Sequence, residues 1–184
     1  MTRVSAALVA TEHEVRETRR AAFLYLVMSH VGTGCLIAGF LVLASLAGSV
    51  SFPALFAGGV ASGPVRHVLF ALFLFGFGIK AGTVPLHVWL PEAHPAAPSS
   101  ISALMSGVVI KAGIYGIVRV CVFGLGTPAL SWGVIVVALG GASSVLGVLY
   151  ALMQHDLKRL LAYHSIENIG IILLGIGAGM MGLT

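Results

Sequence analysis

The chain has 184 residues, is 58% hydrophobic and only 9% charged, and carries a formal net charge of +4 with a mean hydropathy of +1.05. Soluble domains carry about 25% charged residues, so a water-exposed globule with a single apolar core is excluded. The ten basic and six acidic residues are spread in short stretches between apolar runs rather than gathered in one basic tract, which leaves a nucleic-acid partner without support and the lipid bilayer as the expected surroundings.

In chain order, residues 1–20 hold Glu12, His13, Glu14, Arg16, Glu17, Arg19 and Arg20 ahead of the first long apolar run. That cluster reads as an aqueous loop and not as a signal peptide. Residues 21–47 form the first expected span, ended by Gly48, Ser49 and Pro53, and 48–65 form a loop with room for a short interfacial helix. The second span, 66–90, contains Lys80 and is interrupted by Pro85. Pro91, Pro95 and Pro98 remove backbone donors from the stretch that follows, so it is expected to be a structured connection and not a helix interior.

Ser99 and Ser100 can cap the third span, 99–122, and a turn at 124–128 leads to the fourth, 130–153. A polar turn at 154–159 opens into the fifth, 157–181. Cys35 and Cys121 stand in apolar runs without metal-ligand spacing and read as small buried hydrophobes. Glycine occurs 24 times, within helices as well as loops, as close helix packing in lipid requires. The expected fold class is all-α: a polytopic transmembrane helix bundle with a discontinuous helix. Arg16, Arg19, Arg20, Lys158 and Arg159 fall on one side and Arg66 and Arg119 toward the other, which places the first side in the cytoplasm.

Lys80 lies near the middle of the second span and Lys111 near the middle of the third, so both are expected close to the bilayer midplane, where they would move protons. A centred lysine costs about 2.5–3.5 kcal/mol on insertion scales, which is hard to explain as packing. Desolvation disfavours the charged amine, and a second ammonium at about 8 Å and an effective dielectric of about 20 adds roughly 2 kcal/mol in the same direction. Two such amines can exchange a proton through water, since protonating one lowers the affinity of the other. Pro85, with Gly76, Gly78 and Gly82, loosens the helix around Lys80, and freed backbone at that depth persists only inside protein or along a hydrated cavity. The alternative for each lysine is snorkelling or an inert ion pair.

His30 on the first span is a further relay candidate, with a hydrogen-bonded interior histidine as the alternative. His164 and Glu167, at i and i+3 on the fifth helix, could take protons up from the cytoplasm or simply pair locally. His87, Glu92 and His94 flank the prolines in no metal-binding arrangement and read as pins for the connection, while Lys158 and Arg159 read as topology determinants. No dinucleotide fingerprint, P-loop or nucleophile elbow is present, so no cofactor and no redox site is expected on the chain itself.

The run 78–95, Gly-Ile-Lys-Ala-Gly-Thr-Val-Pro-Leu-His-Val-Trp-Leu-Pro-Glu-Ala-His-Pro, resembles the signature of the antiporter-like proton-conducting subunits shared by complex I, the Mrp cation/proton antiporters and membrane-bound hydrogenases. Residues 102–116 resemble the family's next helix with its central lysine, and 156–170 a further block. The variant His-Ser-Ile-Glu-Asn-Ile-Gly at 164–170 is similar to that of hydrogenase-4 component B and the formate hydrogenlyase membrane subunit. The resemblance implies that Lys80 is the lysine of the discontinuous helix and Lys111 the central relay lysine. It also implies a glutamate partner for Lys80 before residue 1, with 5–13 as the tail of its helix, in a subunit of about fourteen helices.

By the same resemblance, the expected partners are other membrane subunits and peripheral hydrogenase or dehydrogenase subunits, in the inner membrane of a prokaryote, with electron transfer elsewhere in the complex. A Mrp-type cation/proton antiporter subunit and a non-conducting scaffold anchoring a peripheral oxidoreductase are the alternatives.

Overall fold

The computed structural model describes Val9, residues 16–56 and residues 62–184. The expected helix tail at 5–13 lies outside the described residues except for Val9, which is helical and buried. Five helices are long and apolar enough to cross a bilayer: α1 (Arg16–Ala47), α3 (Gly63–Ala81), α5 (Ser99–Val122), α6 (Leu130–Leu152) and α7 (Leu157–Gly182). Two short helices intervene, α2 (Phe52–Leu55) after α1 and α4 (Trp89–Ala96) between α3 and α5. No strand occurs among the described residues.

Two local expectations are corrected. Arg16, Glu17, Arg19 and Arg20 are the first turns of α1, not a loop. The 32 residues of α1 exceed what a bilayer needs, and its charged start stays helical because Thr18, Ala21, Ala22 and Tyr25 are buried and the helix packs along α4. Tyr25 meets Trp89 there with ring centroids 5.0 Å apart.

The proline-rich stretch is also helical. Pro91 is the third residue of α4, where a helix has no use for the N–H, so only Pro95 costs an internal bond. The end of α4 is held by Lys158, whose Nζ donates to the carbonyl of Ala97 at 2.9 Å and lies 3.5 Å from that of Pro95. The sequence reading treats Lys158 as a topology determinant; in the fold it caps a helix.

The helices form two groups. α1 packs on α3 and α4, and α3 packs on α5; α6 and α7 form an intimate antiparallel pair, which α4 joins through the start of α7. On α6, Gly133, Gly140 and Gly147 recur every seven residues along one stripe, opposed on α7 by Gly177, Gly170 and the backbone of Glu167. A Cβ on Gly140 would stand 2.8 Å from Leu174 N and 2.9 Å from Gly170 O, so the two backbones are in contact. Asp156 starts α7 as an N-cap, accepting from Arg159 N at 2.8 Å. At the other end of the molecule, the Arg66 guanidinium lies over the Trp132 ring at 4.6 Å and donates to the Thr127 carbonyl.

Candidate functional site

The second apolar run breaks just after Lys80. α3 closes at Gly82, whose φ of 73° is in the left-handed region that glycine adopts without strain. Two of the carbonyls left open by this ending, those of Gly78 and Ile79, are taken up nearby. Gly82 N donates to Ile79 O at 3.2 Å, Thr83 N to Gly78 O at 3.1 Å, and Thr83 Oγ1 to Gly78 O at 3.3 Å. Trp89, at the start of α4, donates its Nε1–H back to Ile79 O at 2.8 Å. Between the two helices Val84 N donates to Ser143 Oγ on α6 at 2.9 Å, and the Val84–Pro85 peptide is cis. Unpaired backbone in hydrocarbon would cost several kcal/mol per group, so this satisfaction is what permits the break.

Lys80 therefore sits in the last turn of α3, not midway along an unbroken helix. Its ammonium is placed near the negative end of a helix dipole. It lines a cavity of about 180 Å³ with Ser29 and Thr33 of α1 and Ala112 of α5. The cavity exists because α1 and α3 cross at glycines: a Cβ on Gly76 would lie 2.9 Å from Gly32 O. Thr33 Oγ1 donates to Ser29 O at 2.7 Å.

Lys111 lies near the centre of α5, on a face not covered by the other described helices. Two wide π turns, Met105–Val109 and Ile117–Val122, interrupt α5, and such turns redirect backbone carbonyls that a regular helix would use internally. Lys111 Nζ donates to one of them, Ser106 O, at 2.7 Å. A Cβ on Gly113 would stand 2.7 Å from Ala81 N, so α5 touches the end of α3 one residue from Lys80 and two from Lys111. The two amines thus occupy neighbouring helices at the same level of the bundle.

The other expected residues are placed differently. His30 is exposed, its Nδ1 lies 2.8 Å from its own helix's Leu26 O, and it does not line the Lys80 cavity. His164 Nδ1 and Glu167 Oε2 are 2.6 Å apart on α7, and Glu167 packs its backbone against Gly147 of α6. Glu92 faces Arg159 at 3.6 Å, and His94 Nδ1 lies 2.5 Å from Ser102 Oγ on α5. His94, outside the five spans, is buried and its imidazole is lowered to about 4, first by desolvation and then by the Lys158 charge. No group of three or more His, Cys, Asp or Glu side chains among the described residues could hold a metal ion.

Sequence reasoning misses the serines. Ser102 and Ser106 of α5 and Ser165 of α7 line a second cavity, of about 550 Å³, between α4, α5 and α7. The four-residue spacing of the first two is visible in the sequence, whereas the 3.1 Å contact of Ser106 Oγ with Ser165 Oγ joins residues 59 apart and has no local signal.

Residues 3–184 match the family model described as NADH:quinone oxidoreductase/Mrp antiporter, TM. Hydrogenase-4 component B of Escherichia coli is 47% identical over 166 residues, which are 89% of this chain and 25% of that protein. Formate hydrogenlyase subunit 3 of the same organism is 47% identical over 121 residues, 66% of this chain and 20% of that protein. The chain thus spans about a quarter of the length of these relatives. Among solved structures, a chain of the Mrp complex from Dietzia sp. superposes with a TM-score of 0.80 at 29% identity, covering 88% of this chain and 30% of that one. A chain of the membrane-bound sulfane sulfur reductase, an archaeal respiratory membrane complex, gives a TM-score of 0.80 at 27% identity, covering 96% and 39%.

Proposed function

Because this chain belongs to the NADH:quinone oxidoreductase/Mrp antiporter transmembrane family, we propose that it carries part of the proton path of an antiporter-like subunit in a hydrogenase-4, formate hydrogenlyase or NADH dehydrogenase-like complex of a prokaryotic inner membrane. The observation that supports the reading is the meeting of α3 and α5 at Ala81 and Gly113, which brings Lys80, at a helix break, and Lys111, on a helix opened by π turns, to the same level on neighbouring helices. Each amine has polar company: Lys80 a cavity with two hydroxyl-bearing side chains, Lys111 a backbone carbonyl. Protons are taken up from the side of Lys158 and Arg159, held on Lys111, and passed toward Lys80. Other membrane subunits and a peripheral hydrogenase or dehydrogenase are the partners, and electron transfer takes place on them.

The test is replacement of Lys80 or Lys111 by Met in the full-length subunit within its assembled complex. Proton transport into vesicles is expected to fall to background while the complex still co-purifies. Normal transport in both variants would leave a scaffold role standing. The superposition on the Mrp complex chain supports a second reading, cation/proton antiport. Proton movement that requires a sodium gradient in proteoliposomes would favour it.

A further inference from the structure

We propose that the end of the bundle opposite Lys158 holds a site for one anionic phospholipid, its phosphate on Arg119 of α5 and one acyl chain in the groove between α1 and α2. Two cavities meet there at Phe52. One, of about 390 Å³, lies between α2 and the end of α5 and is lined by Phe52, Pro53, Phe56, Arg119, Phe123 and Gly124. The other, of about 330 Å³, has no charged group in its walls; Ile37, Phe40, Leu41 and Ala44, a single stripe of α1, form one side of it, with Leu55 of α2.

Charge decides what the first cavity attracts. Arg119 stands in the last turn of α5, exposed, with no hydrogen bond or ion pair among the described residues. The other arginine at this end, Arg66, is already engaged by the Thr127 carbonyl and the Trp132 ring. The four acids among the described residues, Glu17, Glu92, Asp156 and Glu167, all lie toward the opposite end, on the first turn of α1, on α4 and on the first half of α7. This end therefore has a guanidinium and no carboxylate to meet it. A guanidinium at the end of a membrane helix reaches the headgroup level, where a phosphate accepts its N–H groups in pairs.

The short helix α2 divides the two cavities and is firmly seated. Leu55 is buried, and a Cβ on Gly124 would stand 2.6 Å from Phe56 Cδ1, so glycine at that position lets the ring lie against the end of α5. Phe52 packs on Phe56 with ring centroids 5.5 Å apart and on Phe40 of α1 at 6.3 Å. From Phe52 the α1 stripe runs about 10 Å, two helical turns, in the direction a lipid tail takes from the headgroups toward the midplane. Ile37 and Leu41 on it are 54% and 64% exposed. An acidic protein loop would answer Arg119 and leave this stripe bare, whereas one molecule with an anionic head and an apolar tail covers both.

The test uses the full-length subunit in its complex, reconstituted in phosphatidylcholine vesicles with a trace of phosphatidylglycerol that bears a photoactivatable group midway along one acyl chain. Labelled residues are mapped by mass spectrometry after illumination. Label is expected to concentrate on residues 37–44, to fall about tenfold in Arg119→Gln, as loss of a charged hydrogen-bond donor implies, and to persist in Arg119→Lys. The same chain on a phosphatidylcholine headgroup is expected to label the stripe no more than the rest of α1. Equal labelling from the two headgroups, or labelling unchanged in Arg119→Gln, would overturn the site and leave a groove filled by bulk lipid. Loss in both arginine variants would overturn the role of the charge. Label absent from the stripe but present elsewhere on the subunit would overturn the site as well, the groove then being covered by protein in the assembled complex.

Discussion

Trp89 shows how much a single donor can settle. Its indole N–H closes the gap between the halves of a broken helix by reaching Ile79 O, ten residues upstream, while its ring packs on Tyr25 of α1. Trp89→Phe keeps most of the ring and loses the bond; because Gly82 N still serves the same carbonyl, a cost of about 1 kcal/mol is expected, read as a lower thermal midpoint of the detergent-solubilised complex. His94 gives a pH prediction. Its folded value of about 4 lies below the ordinary 6.5, so between these the unfolded chain binds more protons than the folded one. Stability is complete above the ordinary value and is lost as pH falls through that window. His94→Gln should flatten this acid limb, as followed by thermal unfolding at a series of pH values.

The residue scale is also where sequence legibility divides. Lys80, Lys111 and Pro85 stand out because a charge or a missing donor in an apolar run is anomalous wherever it sits in space. Ser106 and Ser165 do not, because serine is ordinary in membrane helices and the contact that joins them crosses the fold. The capping role of Lys158 is hidden for the same reason: the carbonyls it holds lie on a different helix.

Among the elements, the α6–α7 pair is the most tightly specified. The seven-residue recurrence of Gly133, Gly140 and Gly147 is plain in the sequence once the seam is known, but 24 glycines conceal it beforehand. Gly140→Val would press two methyl groups into Leu174 N and Gly170 O, and backbone cannot yield as a side chain can. A loss of about 1–3 kcal/mol or more is expected, seen as reduced thermal stability and poorer assembly, while the same change at Gly107, which faces open space, should leave stability nearly unaltered. The long helices follow from hydropathy alone. α4 does not, since its prolines argue against a helix until their positions in it are known: one in the first turn, the other near the end, where Lys158 holds the carbonyl of Ala97.

For the molecule as a whole, the described bundle is a set of faces, some closed and some open. Lys111, Val108 and Tyr115 lie on a side of α5 that no other described helix covers, in a chain about a quarter as long as its relatives. The hydrogen bond from Val84 N to Ser143 Oγ ties the two helix groups together at the break. Ser143 is wholly buried on α6 and donates in turn to Leu139 O, so the linker after Lys80 is anchored to a rigid strut of two fused helices. Any shift of that linker must either pull on the strut or let go of it. The bond is therefore a coupling pin between the linker and the pair of spans it rests on.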